Sequence, residues 1–79
     1  MTRLKEMRIK SGLTQKQLAE KSDLKLAVLQ HYEQGNRNFD GAKLDTIIKV
    51  CIALDCKIQD IIEDSCTITL LNRYLRRSE

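Results

Sequence analysis

Residues 12–35, GLTQKQLAEKSDLKLAVLQHYEQG, decide how this chain folds. Thr14 and Gln17 stand at the spacing of a capping box, in which each side chain answers an orphan backbone N–H of the other. A short helix therefore starts here, turns Leu18 and Ala19 inward, and ends near Lys21-Ser22. Asp23-Leu24-Lys25 is long enough only for a tight turn, and Asp23 stands where a positive φ is often needed, which Asp tolerates better than most residues. A second helix follows over Leu26 to Gln34, with Leu29 and Tyr32 inward, and Gly35 stops it by supplying a left-handed residue. Two short helices joined by so brief a turn cross at a large angle.

The flanks extend the helical pattern. A helix over about Thr2 to Lys10 places Leu4 and Met7 on one side, and Ser11-Gly12 ends it. After the polar loop Asn36-Arg37-Asn38, with Phe39 as its apolar anchor, Asp40 is expected to cap a further helix. There Leu44, Ile47, Ile48, Cys51 and Leu54 recur at helical spacing, the strongest amphipathic signal in the chain. A short fifth helix is expected over about Gln59 to Glu63, burying Ile61 and Ile62 behind Ile58. The tail reads two ways: Thr67-Ile68-Thr69-Leu70 alternates like a strand, while Ile68, Leu71 and Leu75 fit a helix that Asp64 or Ser65 could cap. The helix is favoured.

Composition agrees with an all-α domain. The 79 residues contain no Pro, three Gly and three aromatics (Tyr32, Phe39, Tyr74), which suits an aliphatic helical core better than a turn-rich β fold. A chain this short buries only about 60–65% of its unfolded surface, so it needs an efficient core or a second subunit. The three cysteines, 51, 56 and 66, form no Cys-x-x-Cys pair and lie far from His31, the one histidine. Neither a disulfide framework nor a metal site is expected. No cofactor is implied. The apolar runs are too short to span a bilayer, and the opening residues lack the apolar stretch of a signal peptide. A cytoplasmic location without membrane attachment is expected.

The net charge of +3 hides an asymmetry. Residues 1–37 hold eight Lys/Arg against four Asp/Glu, residues 38–64 hold three against six, and residues 65–79 hold three Arg and one Glu. The basic first half suits a polyanion. Catalysis is not expected, because no nucleophile–base pair or Gly-rich phosphate loop is assembled, and Asp60, Glu63 and Asp64 read as a solvated acidic face.

The sequence resembles the Cro/cI-like (XRE-type) helix-turn-helix repressors. The residues that carry the likeness are Leu4, Arg8, Gly12-Leu13-Thr14-Gln15, Leu18-Ala19, Leu29, Tyr32-Glu33, Gly35 and Arg37, continuing through Leu44 into Ala53-Leu54-Asp55. Within that family it looks most like small stand-alone regulators whose fourth helix ends in Ala-Leu-Asp-Cys, here 53–56. The resemblance implies a five-helix lambda-repressor-like domain over residues 1–64. Residues 65–79 then form a C-terminal extension for dimerisation or partner binding.

It also implies double-stranded DNA as the ligand and a transcriptional regulator, most simply a repressor, as the function. Lys25, Leu26, Ala27, Gln30 and His31 match the base-reading positions of the second helix of the motif. Gln pairs with adenine, whereas Leu26 and Ala27 can only pack, most usefully against thymine methyls. Gln15 stands at a helix N-terminus, where its amide reaches a phosphate or a base edge. Asn36, Arg37 and Asn38 match the loop that clamps the DNA backbone. Arg8 and Glu33 match a structural ion pair between the first and third helices.

One copy reads too few bases for useful specificity, so a homodimer on a pseudo-palindrome is expected, with half-sites about 34 Å apart. Ile68, Leu70, Leu71, Tyr74 and Leu75 either pack on the chain's own core or form that interface. An antitoxin-like protein-interaction module of the same fold, engaging a protein partner through its tail, is the alternative.

Overall fold

The computed structural model describes residues 1–77 and contains five α-helices: α1 (Arg3–Lys10), α2 (Gln15–Lys21), α3 (Leu26–Gln34), α4 (Leu44–Leu54) and α5 (Ser65–Arg77). Two 3₁₀ turns, Phe39–Gly41 and Ile58–Asp60, join α3 to α4 and α4 to α5. No strand occurs among the described residues. Positions 78 and 79, the end of the expected extension, lie outside them.

Local chemistry sets the first three helices. Thr2 caps α1, its hydroxyl accepting from the Lys5 N–H. The Thr14–Gln17 capping box of α2 is complete, at 3.1 and 2.9 Å. Asp23 turns the chain at φ 55°, and Gly35 ends α3 at φ 80°. Lys25 provides no side-chain cap.

The core is aliphatic. Leu4, Leu18, Leu29, Val50 and Ile61 are essentially inaccessible, joined by Ala19, Phe39, Ile47, Cys51 and Leu54. Each such Leu, Ile or Val contributes about 1.5–3 kcal/mol relative to exposure. α2 packs on α3 and α4, and α1 on α3, so the two helices of the motif are braced from both sides. Phe39 meets Tyr32 edge-on at 5.2 Å, which anchors the loop after α3. Burial pushes the Cys51 thiol up to about 12, with Cys56 adding to the shift, so Cys51 packs as a neutral apolar group.

Three expectations are corrected. The stretch Gln59–Glu63 is not a fifth α-helix. It begins in the 3₁₀ turn Ile58–Asp60, which still delivers Ile61 and Ile62 to the core, and the fifth α-helix is the extension itself. Asp40 does not cap α4, whose N-cap is Lys43 without a side-chain bond. The Asp40 carboxylate instead accepts the Glu63 and Asp64 N–H groups at 3.0 and 2.9 Å. On α4 the inward face is Ile47, Val50, Cys51 and Leu54, leaving Leu44 and Ile48 exposed together with Ile52.

The segment leading into α5 is pinned at several points. Besides Asp40, the Arg3 guanidinium donates to the Gln59 and Asp60 carbonyls at 3.1 and 3.2 Å, and the Arg3 N–H donates to Glu63. Asp64 caps α5, accepting the Thr67 N–H and hydroxyl at 3.1 and 2.6 Å. These bonds hold the Asp64 carboxyl below its ordinary range. Yet no described residue of α5 is buried; Ile68 and Leu71 are only half-covered, and Leu70 and Tyr74 are exposed.

Candidate nucleic-acid interface

The outer face of α3 is open. Leu29 and Glu33 point into the protein, while Lys25, Leu26, Ala27 and His31 are exposed and Gln30 is half-buried. The helix is thus presented as a rod, backed by α2 and α1 and bare on its far side. A rod of this diameter fits the major groove of B-DNA, about 12 Å wide.

Behind the rod lies a polar network. The Arg8 Nε–H donates to Glu33 Oε2 at 2.7 Å, and Arg8 also donates to the Leu13 carbonyl at 2.9 Å. The pair is nearly closed off, with side-chain exposures of 12% and 1%. Arg8 thereby ties α1, the Gly12-Leu13 corner and α3 together. Glu33 Oε1 accepts from the Gln15 amide at 3.2 Å, and Gln15 Oε1 accepts from the Gln30 amide at 3.4 Å. Sequence reasoning paired Arg8 with Glu33 but missed this continuation to Gln15 and Gln30. Its only trace is a set of long polar side chains, and nothing in their spacing shows that they converge.

The loop after α3 is fixed by its backbone. The Asn36 and Arg37 N–H groups both donate to the His31 carbonyl, at 3.0 and 3.2 Å. The Arg37 side chain is left exposed beside α3. Asn36 donates to the Gln34 side chain at 3.0 Å, while Asn38 Oδ1 caps the turn at Phe39 by accepting from the Asp40 N–H at 3.1 Å. Asn38 keeps both amide N–H donors for another partner.

With this geometry in view, comparison with protein families matches residues 3–66 to the Cro/C1-type helix-turn-helix DNA-binding domain. The chain belongs to that family. It is a DNA-binding transcriptional regulator of the helix-turn-helix type. Among solved structures, this regulator is similar to the restriction-modification controller protein C.AhdI from Aeromonas hydrophila. The two are 36% identical, with a TM-score of 0.65 over 73% of this chain and 83% of that one. No curated protein matches. The regulator's family and fold are those of DNA-binding proteins rather than of enzymes. No helix among its described residues is long and apolar enough to cross a membrane.

Proposed function

We propose that this regulator represses transcription as a homodimer in the cytoplasm, each copy reading one half-site of a pseudo-palindrome. Residues 1–64 dock on DNA and residues 65–79 serve assembly. Lys25, Leu26, Ala27, Gln30 and His31 face the bases. Gln15, Asn36, Arg37 and Asn38 bear on the phosphates. The observation that carries this reading is the exposed outer face of α3 above a buried Leu29 and Glu33. The likeness to a restriction-modification controller makes restriction–modification genes the first targets to test.

The dimer is supported by apolar surface. Leu70 and Tyr74 on α5 are 60% and 66% exposed, and Leu44 and Ile52 on α4 are 67% and 74% exposed. Water-facing groups of this size on two helices suit burial against another chain. The same surface favours a protein partner as the second reading. A regulator that stays monomeric by sedimentation at operator-binding concentrations, but whose α5 orders against another protein, supports that alternative.

The deciding experiment is selection of bound sequences from a random DNA library. His31→Ala should alter the selected motif, whereas Arg37→Ala should weaken all sequences about equally and lower the log–log salt slope by about one. A motif indifferent to His31 removes α3 as the reading element.

A further inference from the structure

Resting on the reading of α3 as the base-reading helix, we infer that the relay Arg8–Glu33–Gln15–Gln30 sets which base Gln30 accepts, selecting adenine over guanine. Hydrogen-bond polarity sets the order of the relay. Arg8 can only donate, and the Glu33 carboxylate can only accept. With Glu33 Oε2 taken by Arg8, Glu33 Oε1 must receive the Gln15 NH₂. That places the Gln15 carbonyl oxygen toward Gln30, and only the Gln30 NH₂ can answer it.

An amide side chain has no preferred orientation of its own, and here the order of donors and acceptors is imposed from the buried end. Gln30 is left with one N–H and its carbonyl oxygen facing outward. A donor beside an acceptor matches the N7 and N6 amino group of adenine. Were every amide in the row reversed, Gln30 would turn its whole NH₂ outward. Two donors match the N7 and O6 acceptors of guanine instead. Glu33 and Gln15 are positioning residues in this scheme, and Gln30 is the one that meets the base.

The carboxylate is the element that prevents reversal. In Glu33→Gln the new amide must keep its oxygen toward Arg8, because Arg8 offers only donors, and so turns its NH₂ toward Gln15. The whole row then reverses. A nearly isosteric change, remote from the DNA, is expected to convert a preference for adenine into one for guanine.

Library selection with five proteins tests this. The parent should select adenine, over guanine by about tenfold or more, at the position whose preference disappears in Gln30→Ala. Glu33→Gln should select guanine there and leave the positions that respond to His31→Ala unchanged. Gln15→Met, which keeps the length and cuts the relay, should select adenine and guanine about equally at that one position.

Should Glu33→Gln prove unfolded by circular dichroism, Gln15→Met decides alone. An adenine preference that survives it undiminished, with or without a uniform loss of affinity, overturns the inference. So does a parent whose Gln30-dependent base is not adenine. In the free protein, ¹⁵N relaxation should show the Gln30 side-chain amide loosening in Gln15→Met while circular dichroism shows the helices intact; an amide equally ordered in both overturns the relay. If the parent selects no sequence at all, the DNA-reading conclusion falls, and this relaxation measurement still decides the relay.

Discussion

Helices α3 and α5 both turn a long face to solvent, but of the two only α3 sends buried side chains into the core. Leu29 anchors α3 in the core at 0% exposure, and Glu33 locks it to α1 through Arg8. α5 is longer, yet no described residue in it is buried; its order comes from the Asp64 cap and from the pinned corner before it. An isolated helix of 13 residues is marginal in water. The contrast separates two uses of an open helical face. The outer face of α3 is backed by the core before any ligand arrives, as base reading requires, whereas the apolar face of α5 still has surface left to bury.

Four measurements bear on that contrast. The largest effect is expected from Leu29→Ala, which removes a fully buried side chain and should cost about 4 kcal/mol of folding stability in urea titration. The comparable change on α5, Leu70→Ala, should move the stability of the dilute monomer by no more than about 0.5 kcal/mol. A cost for Leu70→Ala close to that of Leu29→Ala would erase the distinction.

Next comes Glu33→Ala, which strands the Arg8 guanidinium in a nearly closed site and should cost about 3 kcal/mol. A melting temperature equal to the parent's would refute the structural role of the pair. Smaller in stability, but decisive for assembly, is Tyr74→Asp. It should shift sedimentation from dimer to monomer while leaving the melting of dilute protein near that of the parent.

The smallest effect concerns pH. The Asp64 carboxyl titrates lower in the folded protein than in the unfolded chain, so its contribution is present above the unfolded value of about 3.9 and fades as pH falls through the folded one. Helicity of α5, followed residue by residue by NMR, should therefore fray first in acid, before α3 does. Asp64→Asn should weaken that dependence.

Much of the motif was legible because its signals are local. The Thr14–Gln17 box, the turn at Asp23, the stop at Gly35 and the burial of Leu18 and Leu29 all follow from residues within a few positions of one another. Asp40 was misread for the opposite reason. It stands where a helix cap is plausible, but its partners, the N–H groups of Glu63 and Asp64, lie 23 and 24 residues away.

α4 shows a second kind of ambiguity. Leu44, Ile48 and Ile52 form one helical stripe, Ile47, Cys51 and Leu54 another, and Val50 joins the second. Periodicity finds a helix under both stripes, but only packing against α2 and the turn at Ile58 decides which is inward. At the interface, residue types and family resemblance marked the outer face of α3, yet gave no sign that Gln15 and Gln30 meet.

By itself, then, the sequence determined the first four helices and their order, because caps, turns and apolar spacing act over three or four residues. Which stripe of α4 is buried, where Asp40 spends its carboxylate and how Arg8, Glu33, Gln15 and Gln30 share their hydrogen bonds were decided only by the tertiary structure. Those outcomes depend on groups distant along the chain arriving within about 3 Å of one another, and no local pattern encodes that meeting.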